Sequence, residues 1–269
     1  MPEIAVERLL GTPSITISHV RCAGGCKHES EAECASATHI VFPYRGVYVR
    51  HVGQSLSVAD ANQVLFFNSG QEYSVSHPVE GGDDCLSLFV ADEVLHELAP
   101  AAMLQPGGAA RFLQQHQRIG PDVQIQLAEL LRTLHAGGDP LEAETRTMAL
   151  LRGAIGGVPH KSTSHAKRKL AERIKLLLAS DPARRWTLAG IAEQVGGSPV
   201  YLTQAFQQAE GMPLYRYQLQ LRLARALALM DDYDDLSALS FDLGFSSHSH
   251  FSASFRQLYG RAPSAVRAS

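Results

Sequence analysis

Several features that define common protein classes are missing from this 269-residue chain. No run approaches the roughly 20 consecutive apolar residues that a membrane-spanning helix needs, so we expect no membrane association. Residues 1–4 do not combine a basic start with an apolar run, and we therefore expect no secretion signal and a cytoplasmic protein. Phosphate-binding, dinucleotide-binding, serine-hydrolase and zinc-protease motifs are also absent, which argues against an enzyme.

The charge of the chain is small in total but unevenly distributed. The formal net charge is −3. Residues 1–160 hold 10 Lys and Arg against 18 Asp and Glu, a net charge of −8, whereas residues 161–269 hold 14 against 9, a net charge of +5. Such asymmetry is typical of a nucleic-acid-binding module joined to a second domain, and the length suffices for about two domains.

Basic residues are concentrated where the second half begins. They are Lys167, Arg168, Lys169, Arg173 and Lys175. At the start of a helix these side chains are either solvated or contact DNA phosphates, which provide affinity but little sequence specificity. The sequence leaves both explanations open.

A short pattern occurs twice in the last hundred residues, in copies about 48 positions apart. Each copy has a small residue, a glycine four positions later, a serine two positions after that, and then two hydrophobic residues four apart. The corresponding residues are Ala192 and Ser240, Gly196 and Gly244, Ser198 and Ser246, and the pairs Leu202 with Phe206 and Phe251 with Phe255. A repeat is a stronger indication of fold than composition.

Each copy predicts a helix, a tight turn and a second helix. Glycine at 196 and 244 suits a turn with positive φ, and Ser198 and Ser246 are typical N-cap residues. Pro199 follows at the first helical position, where its missing N–H costs nothing. The second helix has an apolar inner face and a polar outer face, as in a helix-turn-helix recognition helix.

The segment between the copies predicts one long helix. Residues 214–230 keep apolar residues at helical spacing and contain neither Gly nor Pro, and we expect the helix to end between Asp231 and Asp235. Such a linker would hold two recognition helices at a fixed separation. That arrangement suits successive major grooves about 34 Å apart on one face of DNA.

Residues 168–267 resemble the AraC/XylS family of bacterial transcription regulators. The resemblance rests on the two motifs, on residues 222–227 of the linker, on the turn at 244–246 and on the terminal Gly260, Pro263 and Arg267. The chain departs from the usual pattern in three places. Gly197 replaces a larger apolar residue and Ser240 a common alanine, which should weaken local packing, and Ala253 replaces a frequent basic residue, which removes one DNA contact.

The resemblance implies a sequence-specific, effector-responsive transcription regulator, with an activator favoured. Its expected partners are double-stranded promoter DNA, RNA polymerase and a second copy in a homodimer, together with a small-molecule or metal effector that remains unidentified. Carried over position by position, the family pattern places these residues on the DNA-facing sides: Val200, Thr203 and Gln204 in the first motif, and His248, Ser249, His250 and Ser252 in the second. Gln can bond adenine, and Val and Thr methyl groups can contact thymine.

Residues 14–90 read as short strands separated by Gly, Asn and Asp turns, which favours a small antiparallel barrel or sandwich. The family resemblance implies a cupin-like β-barrel in this position. The fold class is therefore α+β and multidomain, with an all-α double helix-turn-helix at the C-terminus. We expect an apolar effector pocket in the barrel, lined by Phe42, Tyr48, Phe66 and Tyr73.

Residues 91–160 turn to helical periodicity. Leucine stripes between Leu127 and Leu151 either pack in a core or form a dimer seam. The expected domains are a cupin-like sensing domain at 1–105, a helical dimerisation and linker region at 106–160, and the DNA-binding domain at 161–269.

All four cysteines lie in the acidic half, at Cys22, Cys26, Cys34 and Cys85. Clustered cytosolic thiols are inert, bind a soft metal such as zinc, or act as a redox switch. Carboxylates at Glu29, Glu31 and Glu33 would raise thiol pKa values, which disfavours redox sensing relative to metal. His39, His51 and His77 lack a metal-binding spacing, and we expect structural roles for them.

Two other functions remain alternatives. The first is a cysteine-based metal or redox sensor. The second is a DNA-alkylation-repair-like enzyme fused to the same DNA-binding module, although the sequence has no Pro-Cys-His-Arg-like nucleophile motif. No cofactor is certain beyond the possible zinc or other soft metal.

Overall fold

The computed structural model describes residues 4–24, 28–156 and 163–268. The chain divides into two compact units, Met1–Val158 and Pro159–Ser269. Within the described ranges, no helix combines the length and the apolar composition that a membrane span requires.

The described strands of the first unit form two antiparallel sheets. The strands are β1 (Ile4–Gly11), β2 (Ile15–Cys22), β3 (Glu33–Cys34), β4 (His39–Gly46), β5 (Tyr48–Val52), β6 (Ser55–Ala59), β7 (Gln63–Phe67), β8 (Glu72–Ser76), β9 (Asp83–Val90) and β10 (His116–Arg118). The larger sheet has the order β1-β2-β9-β4-β7-β10 and the smaller β3-β8-β5-β6. Strands β1 and β10 each pair with one neighbour only. The predicted antiparallel β fold of the first unit is thus confirmed, but in the described residues it is an open sandwich rather than the expected closed barrel.

The two faces of the larger sheet pack against different partners. Side chains alternate between faces along a strand, so Phe66 of β7 lies in a core shared with the helices. Its neighbour Phe67 lies in a second cluster between the two sheets, together with Val41 and Tyr48. The first core fixes the helices on the sheet, and the second leaves room for a cavity.

The helices of the first unit are α1 (Asp92–Leu98), α2 (Pro121–His135) and α3 (Pro140–Ile155). Helix α3 begins after Asp139, whose carboxylate accepts hydrogen bonds from the backbone N–H groups of Leu141 at 2.8 Å and Glu142 at 3.2 Å. The leucine stripes of α2 and α3 are buried in the core of their own unit; they include Leu127, Leu130, Leu131, Leu150 and Leu151. These side chains therefore do not form the dimer seam that was one explanation of the stripes.

The second unit is helical. It contains α4 (His165–Ser180), α5 (Leu188–Val195), α6 (Pro199–Glu210), α7 (Leu214–Leu229), α8 (Leu236–Asp242), α9 (His248–Tyr259) and α10 (Pro263–Arg267). Helices α5 and α6 form one helix-turn-helix and α8 and α9 the other. The predicted linker helix is α7, which ends in a short 3-10 turn at Met230–Asp232. At 1.5 Å per residue its 16 residues span about 24 Å.

Candidate DNA-binding surface and effector pocket

The first recognition helix, α6, has the two faces that the sequence predicts. The Ser198 hydroxyl accepts a hydrogen bond from the backbone N–H of Tyr201 at 3.2 Å, which confirms it as the N-cap. Leu202 and Phe206 are fully buried in a cluster shared with α4, α5 and α7. The packing of the inner face therefore fixes the orientation of α6, so that its outer face points toward solvent.

The predicted contact residues of α6 lie on that outer face. Val200 is 66% exposed although it is apolar, and Gln204 is exposed. Thr203 is half-buried, and its hydroxyl donates to the backbone oxygen of Val200 at 2.9 Å. The three side chains form one continuous strip. The Thr203 methyl group and the Gln204 amide thus remain available to a ligand.

Gly197, which departs from the family pattern, has a φ of +97°. A side chain in this region of φ is strained. A Cβ atom there would make only ordinary contacts, the nearest at 3.5 Å from Leu202. The backbone conformation, rather than a lack of space, therefore explains the glycine.

The second recognition helix, α9, begins one residue later than predicted. Its N-cap is Ser247, whose hydroxyl accepts from the backbone N–H of His250 at 3.1 Å, and not Ser246. The reason is a turn that is one residue longer than in the first motif. The spacing from Gly196 to Leu202 is six residues, whereas the spacing from Gly244 to Phe251 is seven.

The predicted contact residues of α9 are again on the outside. His248, Ser249 and His250 are exposed, and Ser252 is half-buried within 3.4 Å of the His248 ring nitrogen Nε2. Ala253 is exposed on the same helix and offers no polar group. The outer face of α9 is thus polar and contains two imidazoles.

A clamp that the sequence did not reveal joins the loop after α4 to α7 and to the second motif. Arg222 donates to the backbone oxygens of Pro182 at 2.5 Å, Ala183 at 3.1 Å and Arg184 at 2.8 Å. Burial lowers the pKa of Arg222. The same loop presses on Gly244, where a Cβ atom would lie 2.0 Å from the Ala183 oxygen. Arg222 therefore holds the loop after α4 in place and does not extend freely into solvent.

Lys175, one of the basic residues considered for phosphate contact, is fully buried. Its ammonium group lies 2.7 Å from Glu172 Oε1 and 3.3 Å from Glu210 Oε1. Glu210 ends α6, so the ion pair joins α4 to the recognition helix. The explanation that Lys175 contacts a DNA phosphate is therefore wrong, because an ammonium group with no exposed surface cannot reach DNA. Arg168, Lys169 and Arg173 are exposed and stay candidates for phosphate contact.

The first unit has a cavity of about 350 Å³ between its two sheets. Of the four aromatic residues expected to line an effector pocket, Tyr48 and Tyr73 do so. Phe42 and Phe66 do not, because both are fully buried in the core on the opposite face of the larger sheet. Their neighbours along the strands, Val41 and Phe67, line the cavity instead. The structure thus places two of the four residues at the cavity and the other two on the opposite face of the sheet, one step away in strand alternation; binding of an effector there stays a prediction.

The described cysteines do not share one environment. Cys22 and Cys85 are buried, Cys34 is exposed, and all three line the cavity; Cys26 lies outside the described residues. Burial and the neighbouring Asp83 raise the pKa of the Cys85 thiol well above its ordinary value. A thiol held protonated is a poor nucleophile, which disfavours redox sensing and methyl transfer at Cys85.

The three histidines all have partners. His39 is stacked between Phe67 and Phe89 at 4.6 Å, and burial lowers its pKa. The His51 ring lies 2.9 Å from the Ser76 hydroxyl. His77 Nε2 lies 2.6 Å from Asp83 Oδ1, and both residues are buried. His39 and His51 thus contact neighbouring side chains, and a structural role for them stays a prediction, whereas His77 lies in a cluster with Cys22 and Asp83.

Comparison with known proteins agrees with the geometry of the second unit. The model of a helix-turn-helix domain family matches residues 191–269. The transcriptional activator RhaR of Klebsiella pneumoniae is 30% identical over 167 residues, which are 59% of this chain and 59% of RhaR. The transcriptional activator AggR of Escherichia coli is 29% identical over 94 residues, 35% of each chain.

Among solved structures, ToxT from Vibrio cholerae is similar at 13% identity, with a TM-score of 0.36, over 94% of this chain and 97% of ToxT. The present chain matches less than two thirds of the length of the curated relatives named above. The fold and the matches define a protein with a helix-turn-helix module of AraC type. The resemblance of residues 168–267 to the AraC/XylS family of transcription regulators is thus supported by a family model and by named regulators over this part of the chain.

Proposed function

We propose that this protein is an effector-responsive transcription regulator that acts in the cytoplasm and binds promoter DNA through α6 and α9. The observation that carries the proposal is the pair of recognition helices, each capped by serine, buried on one face and polar on the other. Helix α7 joins the motifs at a fixed separation, as two major-groove contacts require. The excess of basic residues in this unit would add affinity for phosphate.

We assign base contacts to Val200, Thr203 and Gln204 in α6, and to His248, Ser249, His250 and Ser252 in α9. Gln204 is central to α6, because it is exposed and because a carboxamide can bond adenine through two hydrogen bonds. The hydroxyls and imidazoles of α9 can bond several bases. We therefore expect α6 to discriminate between bases more strictly than α9.

The test is selection of binding sites from a random duplex library by the full-length protein, followed by affinity measurements at fixed salt. Gln204→Ala should weaken the selected site by about 1–3 kcal/mol and relax one base position. Gln208→Ala is the matched control, because the Gln208 oxygen accepts from Lys167 Nζ at 2.7 Å on the side of α4. Equal effects of the two substitutions would contradict the assignment of Gln204 to a base.

We further propose that the regulator is an activator that contacts RNA polymerase and works as a homodimer. The names of RhaR and AggR as activators support the first part. Light scattering at micromolar concentration tests the second, and a monomer would exclude it. A reporter gene placed behind the selected site tests activation, since a repressor would lower its expression.

A DNA-repair enzyme that accepts alkyl groups is not favoured. Such a reaction needs a reactive thiolate, and the second unit has no cysteine. In the first unit, Cys85 is buried with a raised pKa. A methyl-transfer assay on alkylated DNA should therefore leave Cys85 unmodified.

A further inference from the structure

We propose that Cys22, His77 and Asp83 form a binding site for a thiophilic divalent metal ion such as zinc, at the wall of the cavity in the first unit. Their ligand atoms, one sulfur, one imidazole nitrogen and one carboxylate oxygen, all lie within 4.8 Å of one another, and all three residues are buried. Zinc accepts sulfur, nitrogen and oxygen donors, and zinc sites that keep one open position have three protein ligands.

Strand register creates the cluster. Cys22 is the last residue of β2 and lies directly opposite Asp83, the first residue of β9. Directly opposed residues of an antiparallel pair present their side chains on the same face of the sheet. Gly82 allows the two strand ends to approach this closely, because a Cβ atom there would lie 2.0 Å from the Cys22 oxygen. The backbone therefore fixes two of the three ligands.

The third ligand comes from the other sheet. His77 follows the last residue of β8, and its Nε2 reaches Asp83 Oδ1 at 2.6 Å across the gap between the sheets. The Cys85 thiol donates to the other carboxylate oxygen, Asp83 Oδ2, at 3.2 Å. A contact of this kind orients a metal ligand. An ion at this position would thus link β2 and β9 to the smaller sheet.

The charge and the surroundings of the cluster fit a cation. A thiolate and a carboxylate beside a neutral imidazole carry two negative charges, which a divalent ion balances. Buried charges need such compensation, and metal binding would release the thiol proton to solvent. Because the three residues line the cavity, the fourth position of a tetrahedral ion is open to water or to a ligand in the cavity.

The site differs from a cysteine-only centre. Of the four cysteines that the sequence suggested as ligands, the site contains only Cys22. Cys34 is exposed and lies elsewhere in the cavity lining. A buried His–Asp pair without a third ligand would be explained by a structural role alone. The Cys22 thiol within the same 4.8 Å, facing an open cavity, points to a metal ion instead.

The test is titration of the metal-stripped full-length protein with Co²⁺, followed by competition with Zn²⁺. We expect one ion per chain, a thiolate-to-cobalt charge-transfer band and the strong visible bands of a tetrahedral site. Cys22→Ser should abolish the charge-transfer band. Asp83→Asn, which keeps the shape of the side chain, should weaken binding by more than the roughly 10–100-fold that loss of an outer contact costs.

The matched control is the double variant Cys26→Ser with Cys34→Ser, which should keep both the stoichiometry and the band. Loss of the band in this control, or its persistence in Cys22→Ser, would overturn the assignment. X-ray absorption at the zinc edge of the unmutated protein avoids dependence on the folding of variants. One sulfur among nitrogen and oxygen ligands supports the site, and a shell of several sulfurs, or no stoichiometric zinc, refutes it.

DNA affinity of the same variants, measured without metal, should equal that of the unmutated protein. Cys22, His77 and Asp83 belong to the first unit, whereas the recognition helices belong to the second. Loss of cobalt binding with DNA binding intact, or the reverse, therefore separates the metal site from the proposed regulatory function. A Cys22→Ser variant that keeps the cobalt band refutes the metal site whatever its DNA affinity.

Discussion

Replacement of Lys175 by methionine should strongly destabilise the DNA-binding unit. Lys175 is fully buried, and its two partners, Glu172 and Glu210, are 6% and 5% exposed. Methionine fills a similar volume but leaves two like charges close together without a cation. Removal of one partner from a buried ion pair typically costs about 3–5 kcal/mol.

The single tryptophan of the chain, Trp186, makes the effect measurable in the full-length protein. Trp186 packs against the cluster that contains Ile174 and Leu178 of α4, so its fluorescence follows the unfolding of this unit. With a urea dependence of about 2 kcal/mol per M, the midpoint of unfolding should fall by about 1.5–2.5 M. Lys169→Met, an exposed change on the same helix, should shift stability by no more than about 0.5 kcal/mol.

Two further measurements decide whether the ion pair is the cause. Addition of Glu172→Gln and Glu210→Gln to Lys175→Met should restore much of the stability, because the unbalanced charges disappear. The salt dependence of DNA binding by the folded Lys175→Met protein should be unchanged, whereas loss of a phosphate contact would reduce the slope by about 0.9. A stable variant with a reduced slope would refute the buried ion pair.

The two turns offer further tests of the structure. Gly244→Ala should lower the free energy of unfolding by about 2 kcal/mol or more, because the φ of Gly244 is +79° and an added Cβ would lie 2.0 Å from the Ala183 oxygen. In Gly260→Ala the added Cβ would have nothing within 4 Å, so the loss should be only about 1–2 kcal/mol for the left-handed conformation. Urea unfolding followed by circular dichroism measures both, and equal costs would contradict the close approach. Ser247→Ala should cost about 1 kcal/mol as the loss of an N-cap, whereas Ser246→Ala should stay within about 0.5 kcal/mol. The reverse order would restore Ser246 as the cap.

The DNA-binding unit could be predicted well because its signals are local. Capping residues, glycine turns and helical spacing all act within a few positions along the chain. The error at Ser246 shows the limit of this reasoning. The glycines of the two copies are 48 residues apart but the buried hydrophobic residues are 49 apart, so the extra residue was present in the sequence and shifts the cap to Ser247.

The first unit was harder to predict, because its features depend on pairing between distant strands. The sequence predicted strands only within residues 14–90, so that β1 and β10 lie outside the predicted region, and the barrel was expected to close. Cys22 and Asp83 are 61 positions apart and become neighbours only through the register of β2 and β9. Composition drew attention to the cysteines. It could not show that a histidine and an aspartate complete their surroundings.

The same dependence on strand pairing explains why only two of the four expected aromatic residues line the cavity. In β7, Phe66 and Phe67 are adjacent in sequence, yet one packs under the helices and the other borders the cavity. An apolar strand buried on both faces gives no polar residue by which the faces can be told apart. The smaller sheet supplies that information, because its packing against β4, β7 and β9 decides which face encloses the cavity. The proposed effector pocket therefore depends on a surface that only the assembled sandwich defines, whereas the proposed DNA contacts lie on helices whose faces the sequence already distinguishes.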